Sequence, residues 1–251
     1  MLNTALAHFN EDIARARALH THASGMSHGV LTDDILRSAW MMAVGACDAY
    51  FSDAYADLVS RAIRAKELQP TVQIPDRLNN LKVPVTAVLR EANGGWRWRM
   101  AARELIEDQN VLSLGKIREL FNHFFRADHK LLNQKTISTW ITHRNSKRRL
   151  FGVTATEFRA ASQAQRNKIC ADAFDHFEEH FEAIFQRRHD CIHNCDRPKV
   201  ALQSIGAVEV LKRVQDVEFL VHRCHDAFLV EFPLYLRGLG FNGATRAQVC
   251  Q

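Results

Sequence analysis

Residues that interrupt regular structure are scarce in this sequence. Its 251 residues include only 11 glycines and 5 prolines, which excludes collagen-like and low-complexity chains. A long apolar run is also missing, because the longest nearly apolar stretch, residues 39–51, contains Asp48 and is too short to span a bilayer. Acidic residues interrupt the N-terminal segment, so we expect neither a secretory signal nor a membrane partner.

Cysteine is present but not crowded. The six cysteines fall mostly within helix-like segments, unlike those of a secreted disulfide scaffold, so we expect reduced thiols and a cytoplasmic location. The 33 Lys and Arg exceed the 28 Asp and Glu and give a net charge of +5. This small positive charge weakly favours polyanionic partners. With 47% apolar residues, the chain is long enough to bury a core as one domain over residues 1–251, and we expect no cofactor and no metal ligands.

Apolar residues recur at the helical spacing through most of the chain, and strand-like alternation is nearly absent. The sequence therefore predicts an all-α fold. We expect a bundle of long core helices with a basic insertion of shorter helices between the first two. The predicted ranges are about 32–66, 162–195 and 204–232 for the core helices and about 83–155 for the insertion.

Local signals predict where these helices begin and end. Thr32 is a candidate N-cap for the first long helix, and either Thr154 with Glu157 or Ser162 with Gln165 resembles a capping box ahead of the second. Helix breaks are expected at proline and glycine, namely at Pro84, the Gly94–Gly95 pair and Gly115 in the insertion, at Pro198 and at Pro233.

Residues 186–199, QRRHDCIHNCDRPK, concentrate basic and polar side chains at the end of the second long helix. Cleavage of RNA without a metal needs a base for the 2'-hydroxyl, an acid for the leaving oxygen and a cation for the developing phosphorane. His and Arg fill these roles near neutral pH. His189 and His193 share a helix face, whereas Arg188 and His193 point away from each other. Two copies of this helix packed across a twofold axis would bring the arginines and histidines of both chains into one cleft.

The run RRHDCIH resembles the motif of HEPN-domain ribonucleases, in which an Arg and a polar residue are followed by three residues and a His. Arg188, His189 and His193 occupy these places, and Asn194 after the last His agrees with the RiboL-PSP-type subgroup. The resemblance implies an α-helical domain that dimerises to form a metal-independent endoribonuclease, often toxin-like or tied to defence against phage. Arg187 also satisfies the looser spacing, and we favour Arg188 because a polar residue follows it.

The second informative segment, residues 116–149, carries nine Lys or Arg against two acidic residues. Aromatic and imidazole side chains are interleaved with these cations, a mixture suited to phosphate contacts and base stacking on single-stranded or looped RNA. The aromatic residues Phe124, Phe125 and Trp140 are equally typical of a core. The predicted RNA contacts are Lys135, Arg144, Lys147, Arg148 and Arg149, together with Arg187 of the motif.

Three alternatives stay open at this point. The basic residues of the motif also suit an ordinary helix end, where cations meet the negative end of the helix dipole. Cys191 and Cys195, with His189 and His193, have the composition of a zinc ligand set but not the spacing of a common zinc motif. The third alternative is that the chain is a non-catalytic module that binds RNA or another protein.

The function predicted from the sequence is internal cleavage of RNA, with tRNA or single-stranded and looped RNA as substrate. His193 is assigned as base or acid, Arg188 as the cation that stabilises the phosphorane, and His189 with Asn194 as orienting groups. Attack by the internal 2'-oxygen leaves a 2',3'-cyclic phosphate and a 5'-hydroxyl. The expected partners are RNA, a second copy of the chain in a homodimer with the active site at its interface, and, by the resemblance, an antitoxin or other regulator.

Overall fold

The computed structural model describes residues 1–80, 96–107, 111–197 and 201–251. Regular structure within these ranges is entirely helical, and the all-α class is confirmed. In chain order the α-helices are α1 (Asn3–Ser24), α2 (Val30–Leu68), α3 (Asp76–Asn79), α4 (Trp96–Glu107), α5 (Leu114–Phe121), α6 (Gln134–Ile141), α7 (Arg148–Phe151), α8 (Ala155–Ala160), α9 (Gln163–Asn194), α10 (Ala207–Gly238) and α11 (Gly243–Cys250). Two short 3-10 turns, Asn122–Phe124 and Ala127–His129, separate α5 from α6.

The longest helix, α2, lies at the centre of the packing. It contacts α1, α4, α9, α10 and α11, and its buried side chains cover more than one face. Small side chains at Ala39, Ala43 and Ala54, all buried, allow the neighbouring helices to approach it closely. Its partner α1 packs along it through a stripe that includes Phe9 and Ile13, a helix that the predicted core did not contain.

The helix ends differ in detail from the predicted ones. Thr32 is not an N-cap: α2 begins at Val30 behind Gly29, and the Thr32 hydroxyl donates instead to the Ser27 carbonyl at 2.7 Å. Both candidate capping boxes form, so they are successive and not alternatives. The Thr154 box caps α8, and the Ser162 box caps α9.

The third long helix, α10, begins after Gly206 rather than near Ser204. Pro233 lies inside this helix and does not end it, since α10 continues to Gly238. The chain after Gly238 forms a further helix, α11, which Asn242 caps by accepting a hydrogen bond from the Thr245 amide at 2.8 Å.

The basic insertion contributes to the core. Phe124, Phe125 and Trp140 are all buried, at 1%, 4% and 5% exposure, so most of each ring packs in the interior and is not free to stack with an RNA base. The predicted breaks at Pro84, Gly94–Gly95 and Pro198 lie outside the described residues. The described helices include none with the length and apolar composition that crossing a bilayer requires.

Candidate active site

The basic motif forms the last two turns of α9 and the tight turn that follows it. Cys195 and Asp196 both have positive φ angles, 48° and 59°, and the Asp196 amide donates to the Asp190 carbonyl at 2.9 Å. This left-handed turn reverses the chain directly after Asn194 and satisfies a carbonyl that the helix end leaves open. His193 therefore lies in the final turn of its helix.

A buried ion-pair cluster holds that turn in place. The Asp196 carboxylate is fully buried and accepts from Arg37 Nε at 2.7 Å and from Arg187 Nη2 at 2.9 Å. Burial alone would raise the pKa of Asp196, but the hydrogen bonds and charges of Arg187 and Arg37 outweigh it and hold the pKa below its usual value. The Arg37 guanidinium also donates to the Gln203 carbonyl at 2.7 Å, so α2, α9 and the segment before α10 meet at one carboxylate.

The two candidate arginines have different environments. Arg187 is committed to Asp196, donates to the Ser204 carbonyl at 2.9 Å and lies over the Trp40 ring at 5.4 Å, with only 12% of its side chain exposed. In contrast, the Arg188 guanidinium makes no hydrogen bond or ion pair within the described ranges and lines an open cavity. The cation available to a ligand at this site is therefore Arg188.

Asp48 on α2 is the carboxylate that interacts with Arg188. Burial raises the pKa of Asp48, while the charge of Arg188 and a hydrogen bond from the Val111 amide oppose that rise. The charge of Arg188 therefore acts on Asp48 across the α2–α9 interface, although the two groups are not within ion-pair distance. In the sequence Asp48 only interrupts an apolar run, and its spacing of 140 residues from Arg188 gives no local signal of their interaction.

The two motif histidines form an exposed pair. Their ring centroids are 4.4 Å apart, as expected for i and i+4 positions. His189 and Arg188 line a cavity of about 420 Å³ whose opposite wall is the start of α5 at Ser113 and Gly115. Glu178 lies on the same wall as His189, so the cavity presents both acceptors and donors.

The Asn194 side chain contacts Asp190 and neither of the two histidines. Its side-chain amide is 3.5 Å from Asp190 Oδ1, a buried carboxylate that also accepts from Gln186 at 3.0 Å and faces Gln203 at 3.4 Å. Asn194 thus contacts the groups that fix the helix end.

The predicted RNA contacts of the insertion lie on the other side of α9. Arg149 is hydrogen-bonded to Asp216 at 2.9 Å, and Asp216 accepts from His180 at the same distance. His180 and His189 are nine residues apart, which turns them about 180° around the helix and separates them by roughly 13 Å along its axis. The structure therefore does not bring Arg149 to the motif cavity within one chain.

Of the other residues predicted to contact RNA, two interact with neighbouring side chains and two do not. Arg148 pairs with Glu157 at 2.9 Å, and Lys135 contacts the His129 ring at 3.1 Å. Arg144 and Lys147 are exposed and make no side-chain hydrogen bond or ion pair to any described residue. Both line a cleft against α10.

The sulfur-containing residues near the motif are free thiols. Burial raises the pKa of Cys191 to about 11, so this thiol is protonated near neutral pH. Across the described ranges, no group of three or more His, Cys, Asp or Glu side chains is arranged to hold a metal ion.

Comparison with known proteins does not assign the chain to a family. The chain matches no protein-family model, no curated protein and no solved structure. The HEPN resemblance therefore rests on the motif residues alone and stays a prediction.

Proposed function

We propose that this protein is a metal-independent endoribonuclease of the HEPN type. The observation that carries the proposal is the placement of Arg188 beside His189 on an open cavity. The ring of His193 lies 4.4 Å from that of His189, one turn further along α9. Sequestration of Arg187 by Asp196 supports the choice of Arg188 as the catalytic cation.

The proposed chemistry is an internal transesterification. An imidazole takes the proton of the 2'-hydroxyl, the 2'-oxygen forms a bond to phosphorus, and the bond to the 5'-oxygen breaks as that oxygen receives a proton. His193 acts as base or acid, His189 orients it through their ring contact, and Arg188 stabilises the charge that develops on the phosphorane. Asn194 acts indirectly, through Asp190, by fixing the helix end.

A second copy of the chain would complete this site. Arg188 and His193 are five residues apart, which places them about 140° apart around α9. Exposed apolar side chains occur at the same end of the bundle, at Ile192, 47% exposed, and Val208, 70% exposed. A homodimer that covers them would place the Arg188 of one protomer opposite the His193 of the other. A toxin-like or anti-phage role, with an antitoxin as partner, follows from the resemblance.

Cleavage of a mixed pool of tRNA and single-stranded RNA in EDTA tests the proposal. We expect the wild-type chain to leave 2',3'-cyclic phosphates, and we expect Arg188→Ala and His193→Ala each to lower the rate by at least about 100-fold. Arg237→Ala and His8→Ala are matched controls, because both positions are exposed and lie outside the motif. Products with 3'-hydroxyl ends would refute the mechanism. A folded, inert wild-type dimer would favour the non-catalytic RNA-binding module.

A further inference from the structure

Two adjoining cavities lie along α10, the first facing the segment that joins α6 to α7 and the second facing α6. The first, of about 490 Å³, is lined by Arg144, Lys147 and Arg223 among others. The second, of about 410 Å³, is lined by Trp140, by Ala227 and again by Arg223. Because Arg223 borders both, we treat them as one distal cleft with two compartments. Each compartment has the size of a small-ligand site.

The first compartment has an excess of positive charge. Its two carboxylates are already neutralised, Asp216 by Arg149 at 2.8 Å and Glu218 by Arg17 at 2.5 Å. Arg144 and Lys147 lack such a partner within the described part of the chain. This compartment therefore favours an anion that accepts hydrogen bonds from two cations, as a phosphate group does.

The second compartment is mostly apolar. Trp140 and Phe125 line it together with Ala227 and Val230 of α10, and Lys135 and Glu231 also border it. Asp226, which pairs with Arg223 at 2.8 Å, lies at the rim and supplies an acceptor. A flat ring with polar edges fits such a compartment better than an aliphatic chain would, because the rim offers hydrogen-bonding groups in addition to the apolar lining.

His143 lines the second compartment and precedes Arg144 of the first in the chain, and a hydrogen bond fixes its neutral tautomer. Its Nδ1 accepts a hydrogen bond from the Asn145 amide at 3.1 Å, so the neutral ring carries its proton on Nε2 and can donate it. Burial, together with the charges of Arg223 and Arg144, lowers the pKa of His143. A neutral imidazole next to an apolar lining is a suitable surface for stacking a base.

We propose that the distal cleft binds one nucleotide unit, with the base in the apolar compartment beside His143 and the phosphate between Arg144 and Lys147. The same chemistry is offered by a free mononucleotide and by one nucleotide of an RNA strand. The site lies on the side of α9 away from the motif histidines, so it is separate from the proposed cleavage site and does not depend on cleavage.

Calorimetric titration of the full chain tests this proposal with the four 5'-ribonucleoside monophosphates, their nucleosides and inorganic phosphate. We expect at least one monophosphate to bind, with its nucleoside and phosphate each at least about 10-fold weaker, because each occupies one compartment. Arg144→Ala/Lys147→Ala should weaken the monophosphate about 100-fold, or roughly 10-fold per lost charged contact. Ala227→Leu, which fills the apolar compartment, should weaken the monophosphate but leave the affinity for phosphate unchanged.

Lys168→Ala/Arg237→Ala removes the same charge from two exposed positions outside the cleft and should change the affinity less than about 2-fold. A single-stranded hexauridylate distinguishes the sources. Tighter binding than that of UMP assigns the site to an RNA strand, and weaker binding assigns it to a free nucleotide. The proposal is overturned if neither the monophosphates nor the hexauridylate bind, or if the control pair loses as much affinity as the cleft pair.

Discussion

Asp196 combines a fully buried carboxylate with a left-handed backbone, two features that are each unfavourable alone. Arg37 and Arg187 supply the compensating charge, and Arg37 is itself only 7% exposed. Without Asp196, the Arg37 guanidinium would keep, among the described residues, only the exposed Asp34 as an acidic partner. The charge of Asp196 therefore contributes more to the stability of this cluster than the size of its side chain does.

Asp196→Asn should lower the free energy of unfolding by about 3 kcal/mol, because it leaves two arginines without a buried counter-charge. Urea denaturation followed by circular dichroism measures the change. Asp12→Asn is the matched control, since Asp12 pairs with Arg15 at the surface and should cost less than about 1 kcal/mol. Equal losses of unfolding free energy in the two variants would show that the buried ion pairs stabilise the fold no more than a surface ion pair does.

The lowered pKa of Asp196 also sets a pH dependence. An Asp whose folded pKa lies below the unfolded value of about 3.9 stabilises the protein above that value, and the contribution disappears as the pH falls through the folded pKa. The difference in unfolding free energy between wild type and Asp196→Asn should accordingly shrink as the pH falls below about 4. A pH-independent difference would contradict this assignment.

Asp48 is expected to position Arg188 and not to touch the RNA. If cleavage occurs as proposed, Asp48→Asn should lower kcat about 10-fold or more while KM changes little, because a misplaced guanidinium stabilises the transition state poorly. Asp48→Glu retains the charge and should recover part of kcat. Equal activity of Asp48→Asn and wild type in EDTA-containing buffer would remove Asp48 from the site.

At the scale of elements, the end of α9 decides where the motif residues lie. The helix stops at Asn194 although the next residue is not glycine, because Cys195 adopts the left-handed conformation that glycine usually provides. The position of His193 in the last turn follows from that stop. The ion pair between Asp196 and the distant Arg37 stabilises this helix end.

Cys195→Gly should raise the free energy of unfolding by about 1 kcal/mol, since φ of 48° costs a side chain about that much and the cysteine is exposed. Ala183→Gly, an exposed position in the regular part of α9, should have the opposite sign and lower it by about 1 kcal/mol. Thermal or urea unfolding of both variants decides the point. A loss of stability in Cys195→Gly would be inconsistent with this explanation.

The local capping-box signals were predictable, whereas the local signals at Thr32 and Pro233 were wrong and features that depend on distant residues gave no signal. The capping residues Ser162 and Thr154 act within three positions and were identified correctly. The packing role of Phe124 and Trp140 was one of two interpretations, since a ring in an amphipathic segment looks the same whether it meets a core or a base. The pairing of Arg187 with Asp196 depends on positive φ angles at Cys195 and Asp196, where the sequence has no glycine to indicate them.

At the scale of the whole molecule, α2 and α10 share a buried polar contact. The Tyr50 hydroxyl lies 3.0 Å from His225 Nδ1, and both side chains are buried. Burial lowers the pKa of His225, the charges of His222 and the N-terminal amine add to that effect, and Asp226 opposes it. The folded protein therefore favours the neutral imidazole.

This linkage predicts acid destabilisation in a defined window. Below the unfolded His value of about 6.5, the unfolded chain gains a proton that the folded His225 does not, so stability falls as the pH drops from about 6.5 through the folded pKa. Urea unfolding at pH 7.5 and pH 5.5 should show this loss. Tyr50→Phe/His225→Leu should reduce the pH dependence, and an unchanged pH profile in that variant would assign the effect to other histidines.

Helix ends normally open and close faster than helix centres, and their amide protons exchange with solvent accordingly. The last turn of α9 is different, because its amide at Asp196 bonds back to Asp190 and its carboxylate is tied to α2. Amide protons of residues 190–196 should thus exchange as slowly as those in the middle of the helix. The native arrangement of His189 and His193 would then be disrupted only when the whole bundle unfolds, and not by local opening of α9.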